Sequence, residues 1–405
     1  LQRRSLCAVI EQAGIAVYGD ASETVLRDVP YARMLQALED HADRTRRELI
    51  WVIGTAGRML RPNSDAQRAF AEFWARVRAR SLPIRVVLLV DRHAPLSRTV
   101  RGEPIEATLI DVDLPTSLQV KRALPSWPAL DRLRLVAALG RVPERLRHVD
   151  PRTRLATNLQ RLVIAPEGVL HWGPLGRLKA LQKPERYLGV LTALAEGAED
   201  WGDIRARVPE LAGGSTLAPY MATLEEQGWI AADRSLDARP RSRGRRYRIR
   251  DPFAGYWLHA IAAQLGRTWL ESPSALWRAH GAPALERWTR AVLPMLLRER
   301  LLESEAPPLA APARTTGALW GEGYDVPLAG TLVTGAAFYG DIVWGRRAET
   351  DDLTRLEQQV RRTRYGFGRE TRLHVLVIDR PAAQELVRRA ARSDDVALLA
   401  LSDLF

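Results

Sequence analysis

Two apolar runs set the first constraint on this chain. Residues 48–53 (ELIWVI) and 84–90 (IRVVLLV) are nearly unbroken, as strands are when both faces of a parallel sheet are covered. Helical periodicity fills the intervals beside them, at 31–47 and 64–80. Strand signals at 15–18 and 107–112 complete a first α/β region, which we place at 1–124. From 125 to 183 the pattern becomes a helical lid or connector with irregular turns.

The middle of the chain has a different order. Residues 185–196 and 201–208 read as helices separated by Gly197. A third helix spans 215–227, opened by Ser215 as N-cap and closed by Gly228. Two strands follow, 229–236 and 246–249, joined by an exposed basic loop. Three helices and then a β-ribbon is the winged-helix order, and with the aromatic helix 251–265 it defines a domain at 184–265. The remainder, 266–405, carries a helix at 284–304 and a Pro- and Ala-rich linker at 305–316. Strands follow around Ala318 and at 326–333 and 338–344, then a helix at 350–362 and a strand at 373–378. A helix at 381–392 and a strand at 396–401 close the chain, so α/β is the expected class throughout.

At 405 residues two or three domains are expected, and the formal net charge of +12 favours polyanionic partners. Arg, Ala and Leu rise together in GC-rich coding, so only clustered charge counts as evidence. The densest cluster is the loop of the ribbon. Arg239, Arg241, Arg243, Arg245, Arg246, Arg248 and Arg250 fall within twelve residues. Alternation on the returning strand would put Arg246, Arg248 and Arg250 in a row, a charge density suited to phosphate. DNA is therefore the expected partner, with a protein partner or a merely solvated loop as the alternatives. The third helix is not basic; Thr216, Thr223, Glu225, Glu226 and Gln227 dominate its polar face, which argues against sequence-specific base readout.

Catalytic signatures are scarce. A single cysteine, Cys7, excludes an internal disulfide and cysteine-rich zinc sites. No Gly-Lys-Ser or Gly-Lys-Thr phosphate loop occurs, and the strand at 48–53 runs into Gly54-Thr55 where a magnesium-orienting acid would be needed. Asp91 follows the strand at 84–90 but has no phosphate loop to serve. Near the C-terminus, Glu286, Asp325 and Asp341 come in an order that metal-dependent phosphodiester cleavage could use. Val343 and Trp344 stand where a charge-stabilising Lys would be wanted, so scattered surface acids remain the simpler reading. Neither a Gly-x-Ser-x-Gly elbow nor a His-Glu-x-x-His pair is present, and His148, His171 and His259 read as structural or surface residues. With no apolar run of about 18 residues and no signal peptide, the chain reads as cytoplasmic.

Several segments resemble the archaeal-type ATPase family, relatives of the AAA+ and STAND NTPases with a winged helix and a restriction-endonuclease-like C-terminal domain. LGRVPERL (139–146) is similar to that family's Gly-Gly-Val-Pro segment, keeping Gly140, Val142 and Pro143 with Arg141 in place of a Gly. PERYLGVLTALAEG (184–197), LAPYMATLEEQGWI and RRYRIRDPFAGYWLHAI resemble successive parts of its winged domain. The resemblance implies a P-loop NTPase-like sheet, ATP and magnesium as cofactors, and a P-loop just before Leu1, since LQRRSL is similar to the helix that follows it. It also implies loss: Gly54-Thr55 replace Asp-Glu, Asp91-Arg92 replace Gly-Ser, and Val343 replaces the nuclease Lys, while Asp325 and Asp341 match metal ligands and Glu286 a helix Glu. Three readings follow: a degenerate relative that binds DNA without turnover, an ATP-binding protein whose P-loop lies upstream, or a nuclease using Asp325 and Asp341 with Arg346.

Overall fold

The computed structural model describes residues 31–53, 65–89, 99–100, 103–104, 110, 112–179, 181–211, 213, 216–239, 244–366, 368 and 372–405. The chain is mixed α/β and divides into two compact units, Leu1–Val112 and Asp113–Phe405. Among the described residues no helix is long and apolar enough to cross a membrane.

In the first unit, α1 (Tyr31–Thr45), β1 (Leu49–Ile53), α2 (Asp65–Ala79) and β2 (Ile84–Leu88) form a βαβ arrangement with a helix in front. The strands pair in parallel, with Trp51 opposite Val86. Trp51, Ile53 and Ile84 are buried with Leu38, Phe70 and Phe73 of the helices, and Trp51 meets Phe73 edge-on at 5.6 Å. Glu39 is buried between the helices and accepts a fork of hydrogen bonds from Arg76 at 2.7–3.1 Å. The other face carries Ile50, Val52, Val87 and Leu89, all exposed. The apolar runs are thus covered by described residues on one face only, because α2, the crossover between parallel neighbours, and α1 pack side by side. β3 (Thr99–Val100) and β4 (Glu103–Pro104) add a short antiparallel pair. Of the strand expected at 107–112, Ile110 and Val112 stand exposed outside any strand. The other four residues of that segment, the strand expected at 15–18, Gly54-Thr55 and Asp91-Arg92 lie outside the described residues.

The second unit begins with α3 (Ser117–Ala123), whose Thr116 and Gln119 form a capping box, and α4 (Ala129–Leu139), ended by Gly140 at φ +70°. Short helical turns follow up to α5 (Gly173–Lys179). Next come α6 (Pro184–Ala195), α7 (Trp201–Arg207), α8 (Leu217–Glu226) and the antiparallel ribbon of β5 (Ile230–Arg234) and β6 (Arg245–Ile249). Helix α9 (Pro252–Ala260) has Pro252 in its first turn, and the Asp251 side chain accepts from Phe253 N–H. Helix α10 (Ala282–Leu302) runs for 21 residues. In its first half the Trp288 indole N–H donates to the carbonyls of Ala137 and Pro252, both at 2.9 Å. A Cβ on Gly255 would lie 2.0 Å from the Trp288 ring, so only glycine lets α9 and α10 approach this closely.

A five-stranded sheet completes the unit: β7 (Ala313–Gly321), β8 (Tyr324–Leu332), β9 (Ala337–Val343), then α11 (Thr350–Arg362), β10 (Arg372–Ile378), α12 (Gln384–Arg392) and β11 (Val396–Ala400). Spatial order follows chain order; β7, β8 and β9 are antiparallel, and β9, β10 and β11 parallel. One face packs Leu328, Phe338 and Val375 towards α10, and the other packs Val326, Tyr339 and Leu376 on Leu353 and Leu356 of α11. The segment expected as a linker is shorter than its composition indicates. Leu309, Ala311 and Ala313 are buried and β7 already begins at Ala313, since small side chains suit close packing as well as they suit a linker. In α11, the Asp352 carboxylate is 3% exposed and accepts from Arg346 and from Glu349 N–H. The Arg346 bonds hold it down at about 2, against the opposing pull of burial.

Two outcomes follow. Gly255→Ala should lower unfolding free energy by about 3 kcal/mol in urea denaturation, as overpacking at a fixed aromatic wall does. Asp352→Asn should cost roughly 2 kcal/mol at pH 7, measured the same way. A depressed carboxyl stabilises above its unfolded range and loses that contribution as pH falls through about 2, so the deficit should shrink below pH 4 and nearly vanish near pH 2.

Candidate nucleic-acid interface

The ribbon is where the basic cluster of the sequence falls. Its register sets Asp233 opposite Arg246 and Arg234 opposite Arg245. Of the expected arginine row, two members are committed to acids. Arg246 reaches Asp325 at 2.9 Å and Glu199 at 3.3 Å and lies 4.8 Å over the Trp320 ring. Arg248 binds Asp233 at 2.8 Å, and Nη1 approaches the Met295 sulfur. By contrast Arg234 and Arg239 are exposed and Arg245 is half-buried, and none of these three has an ion-pair partner among the described residues. Arg241 and Arg243 lie outside the described residues.

The connection after β5 is bonded to the edge of the C-terminal sheet. Leu236 N–H donates to Ala318 C=O at 3.0 Å, and Trp320 N–H donates to Ser235 Oγ at 3.0 Å. Gly317 leaves the space Leu236 fills; a Cβ there would lie 2.8 Å from it. Tyr324 O–H donates to Asp237 at 2.7 Å, and burial, then that bond and the Asp237 charge, raise the phenol to about 12. Between ribbon, α10 and β7 lies an open cleft of about 560 Å³, with Arg234, Arg245, Arg248 and Arg298 on its walls and Glu225, Asp233 and Glu299 among its acids. Asp233 is taken by Arg248 and Arg298, and Glu299 by Arg141. Glu225 leaves one negative charge on the wall, and the cationic excess that remains sits at the Arg234–Arg245 pair, two like charges directly opposed across the ribbon. The polar residues of α8 keep their expected acidic character, with Glu225 on the cleft wall.

The three carboxylates do not converge. Between the pairs Gly317–Ala329 and Leu319–Val326, two steps on β7 span three on β8, a bulge around Pro327. Val326 and Leu328 consequently face opposite sides, and Asp325 points with Trp320 towards Arg246. Asp341 shares the α11 face with Tyr339 and Val343 and meets Arg355 at 3.4 Å. Glu286 sits on α10 against Arg134 and the Trp344 indole, both at 3.0 Å; burial raises its carboxyl, but these two bonds outweigh that and leave it below the usual range. Val343 is buried, and Arg346 is held by Asp352. No group of three His, Cys, Asp or Glu side chains among the described residues is placed to hold a metal ion. Asp325, Asp341 and Glu286 as placed do not fit a metal centre.

Sequence reasoning did not single out Arg234 or Arg298. Hairpin pairing could have found Arg234, since it ends β5 opposite Arg245. Arg298 had no such signal: it stands on a distant helix, donates twice to Pro327 C=O, and burial pushes its guanidinium down.

No family model and no curated protein matches the chain. Among solved structures, a Walker-type ATPase of Pyrococcus abyssi is similar at TM-score 0.38 and 19% identity, over 62% of this chain and 74% of that one. The ORC2 protein of Aeropyrum pernix, solved as ADPNP–ADP complexes, is similar at TM-score 0.35 and 13% identity, over 72% of this chain and 76% of that one.

Proposed function

We propose that helices α6 to α8 and the ribbon form a winged helix, and that the chain binds nucleic acid through the ribbon in a regulatory role, without turnover. The observation that carries this reading is the division of labour among the ribbon arginines. Arg246 and Arg248 are spent on Asp325, Glu199 and Asp233, whereas Arg234 and Arg245, at the loop end of the ribbon, and Arg239, in the loop, have no carboxylate partner among the described residues. Opposed arginines such as Arg234 and Arg245 repel, and a phosphate placed between them would relieve that repulsion while releasing condensed counterions. Arg241 and Arg243 belong to the same loop in sequence and add to its charge. The acidic polar face of α8 favours backbone contact over base readout.

The separated placement of Asp325 and Asp341 weighs against the nuclease reading. The ATP-binding reading is weakened by Gly54-Thr55 and Asp91-Arg92, which stand in the sequence where a magnesium-orienting acid pair and a Gly-Ser would be wanted.

Double-stranded DNA titrated against the full chain at several salt concentrations tests the reading. Arg239→Ala with Arg245→Ala should weaken binding at every sequence and reduce the slope of log K against log salt by about two. Unchanged affinity and slope would remove the ribbon as the contact.

A further inference from the structure

The basic surface does not end at the ribbon. Helix α11 closes with Arg361 and Arg362, and Arg364 follows just past it. All three are exposed, and none has a carboxylate partner among the described residues. Basic residues in a last turn offset the helix dipole, which is a sufficient reason for one or two of them. It does not account for Arg364, which lies beyond the helix, nor for the direction Arg362 takes. Arg362 leaves the helix end and donates to Gly323 C=O at 2.8 Å, in the turn between β7 and β8. Gly323, at φ +77°, admits it; a Cβ there would lie 2.4 Å from the guanidinium. The next residue, Tyr324, donates to Asp237, two residues before Arg239 of the ribbon. Arg364 is close enough for its charge to act on the Tyr324 phenol. The segment carrying it is pinned: Thr363 N–H returns to Val360 C=O, and Tyr339 O–H donates to Tyr365 C=O at 2.6 Å. One β-turn therefore lies between two groups of arginines that have no carboxylate partner among the described residues, from elements more than a hundred residues apart in sequence. The turn's own acid, Glu322, is exposed.

We propose that a nucleic-acid duplex held by the ribbon is gripped a second time, across the β7–β8 turn, by Arg361, Arg362 and Arg364. This rests on the reading of the ribbon as a nucleic-acid contact. The second grip is electrostatic and blind to sequence, since guanidinium groups on a helix end meet phosphates rather than base edges. It lengthens the protein's track along the backbone and raises the number of phosphates neutralised.

The test uses the full chain and a fluorescent duplex of about 20 base pairs, long enough for both grips at one charge per ~1.7 Å of axis. Arg361→Gln with Arg364→Gln leaves the structural bond of Arg362 in place. This variant should lose about two from the salt slope and bind more weakly at every salt concentration. Arg361→Glu with Arg364→Glu should weaken binding further. Wild-type affinity and slope in both variants, with a flattened slope in Arg239→Gln/Arg245→Gln, would overturn the second grip and leave the ribbon contact standing. No salt-dependent duplex binding by the wild-type chain would overturn both.

Discussion

Helix α10 can only do its work because Gly255 has no side chain. Trp288 lies flat in that gap and spends its one N–H on two carbonyls, from α4 and from the start of α9, so three helices are fixed by a single ring. Further along the same helix, Leu297 and Leu301 meet the C-terminal sheet, and Arg298 reaches the Pro327 carbonyl on β8. The helical core and the sheet are therefore positioned by two stretches of one helix, about 30 Å long at 1.5 Å per residue, with Pro294 between them. A buried aromatic with a satisfied N–H contributes area and direction together, which an aliphatic residue at 288 could not.

The bulge at Pro327 governs the chemistry as α10 governs the packing. One extra residue in β8 turns Asp325 from the face where Asp341 lies to the face where the ribbon docks. A carboxylate that could have shared a metal ion becomes the anchor of Arg246 instead. Proline suits the place, since a bulge leaves a backbone position without a ladder bond to make.

Much of the architecture was legible because its signals are local. The ribbon, α11 and β10 emerged from alternation, amphipathic spacing and breakers such as Gly197 and Gly228 to within a residue or two. The start of β7 was hidden in a Pro- and Ala-rich stretch, where small residues serve a linker and a tight core alike. The candidate site was legible in composition but not in commitment. Seven arginines in twelve residues announce a basic loop, yet nothing nearby tells that Arg246 is bound by an acid 79 positions away. Likewise, Asp325 and Asp341 have a suggestive order, and only a register shift between two strands shows that they part. The number of arginines misleads for the same reason: Arg141, Arg145 and Arg298 are internal structural members whose charges are already answered.

The bond from Leu236 to Ala318 has a consequence for solution behaviour. β7 is the end strand of its sheet, and an end strand with free N–H and C=O groups is a template for another chain. Here the connection behind β5 lies along that border and takes one of its carbonyls, while Ser235 takes an N–H. The ribbon is thus also a seal. Whatever pulls it from the sheet uncovers a raw strand border, so loosening of the ribbon would be registered as stickiness between molecules before any loss of helix.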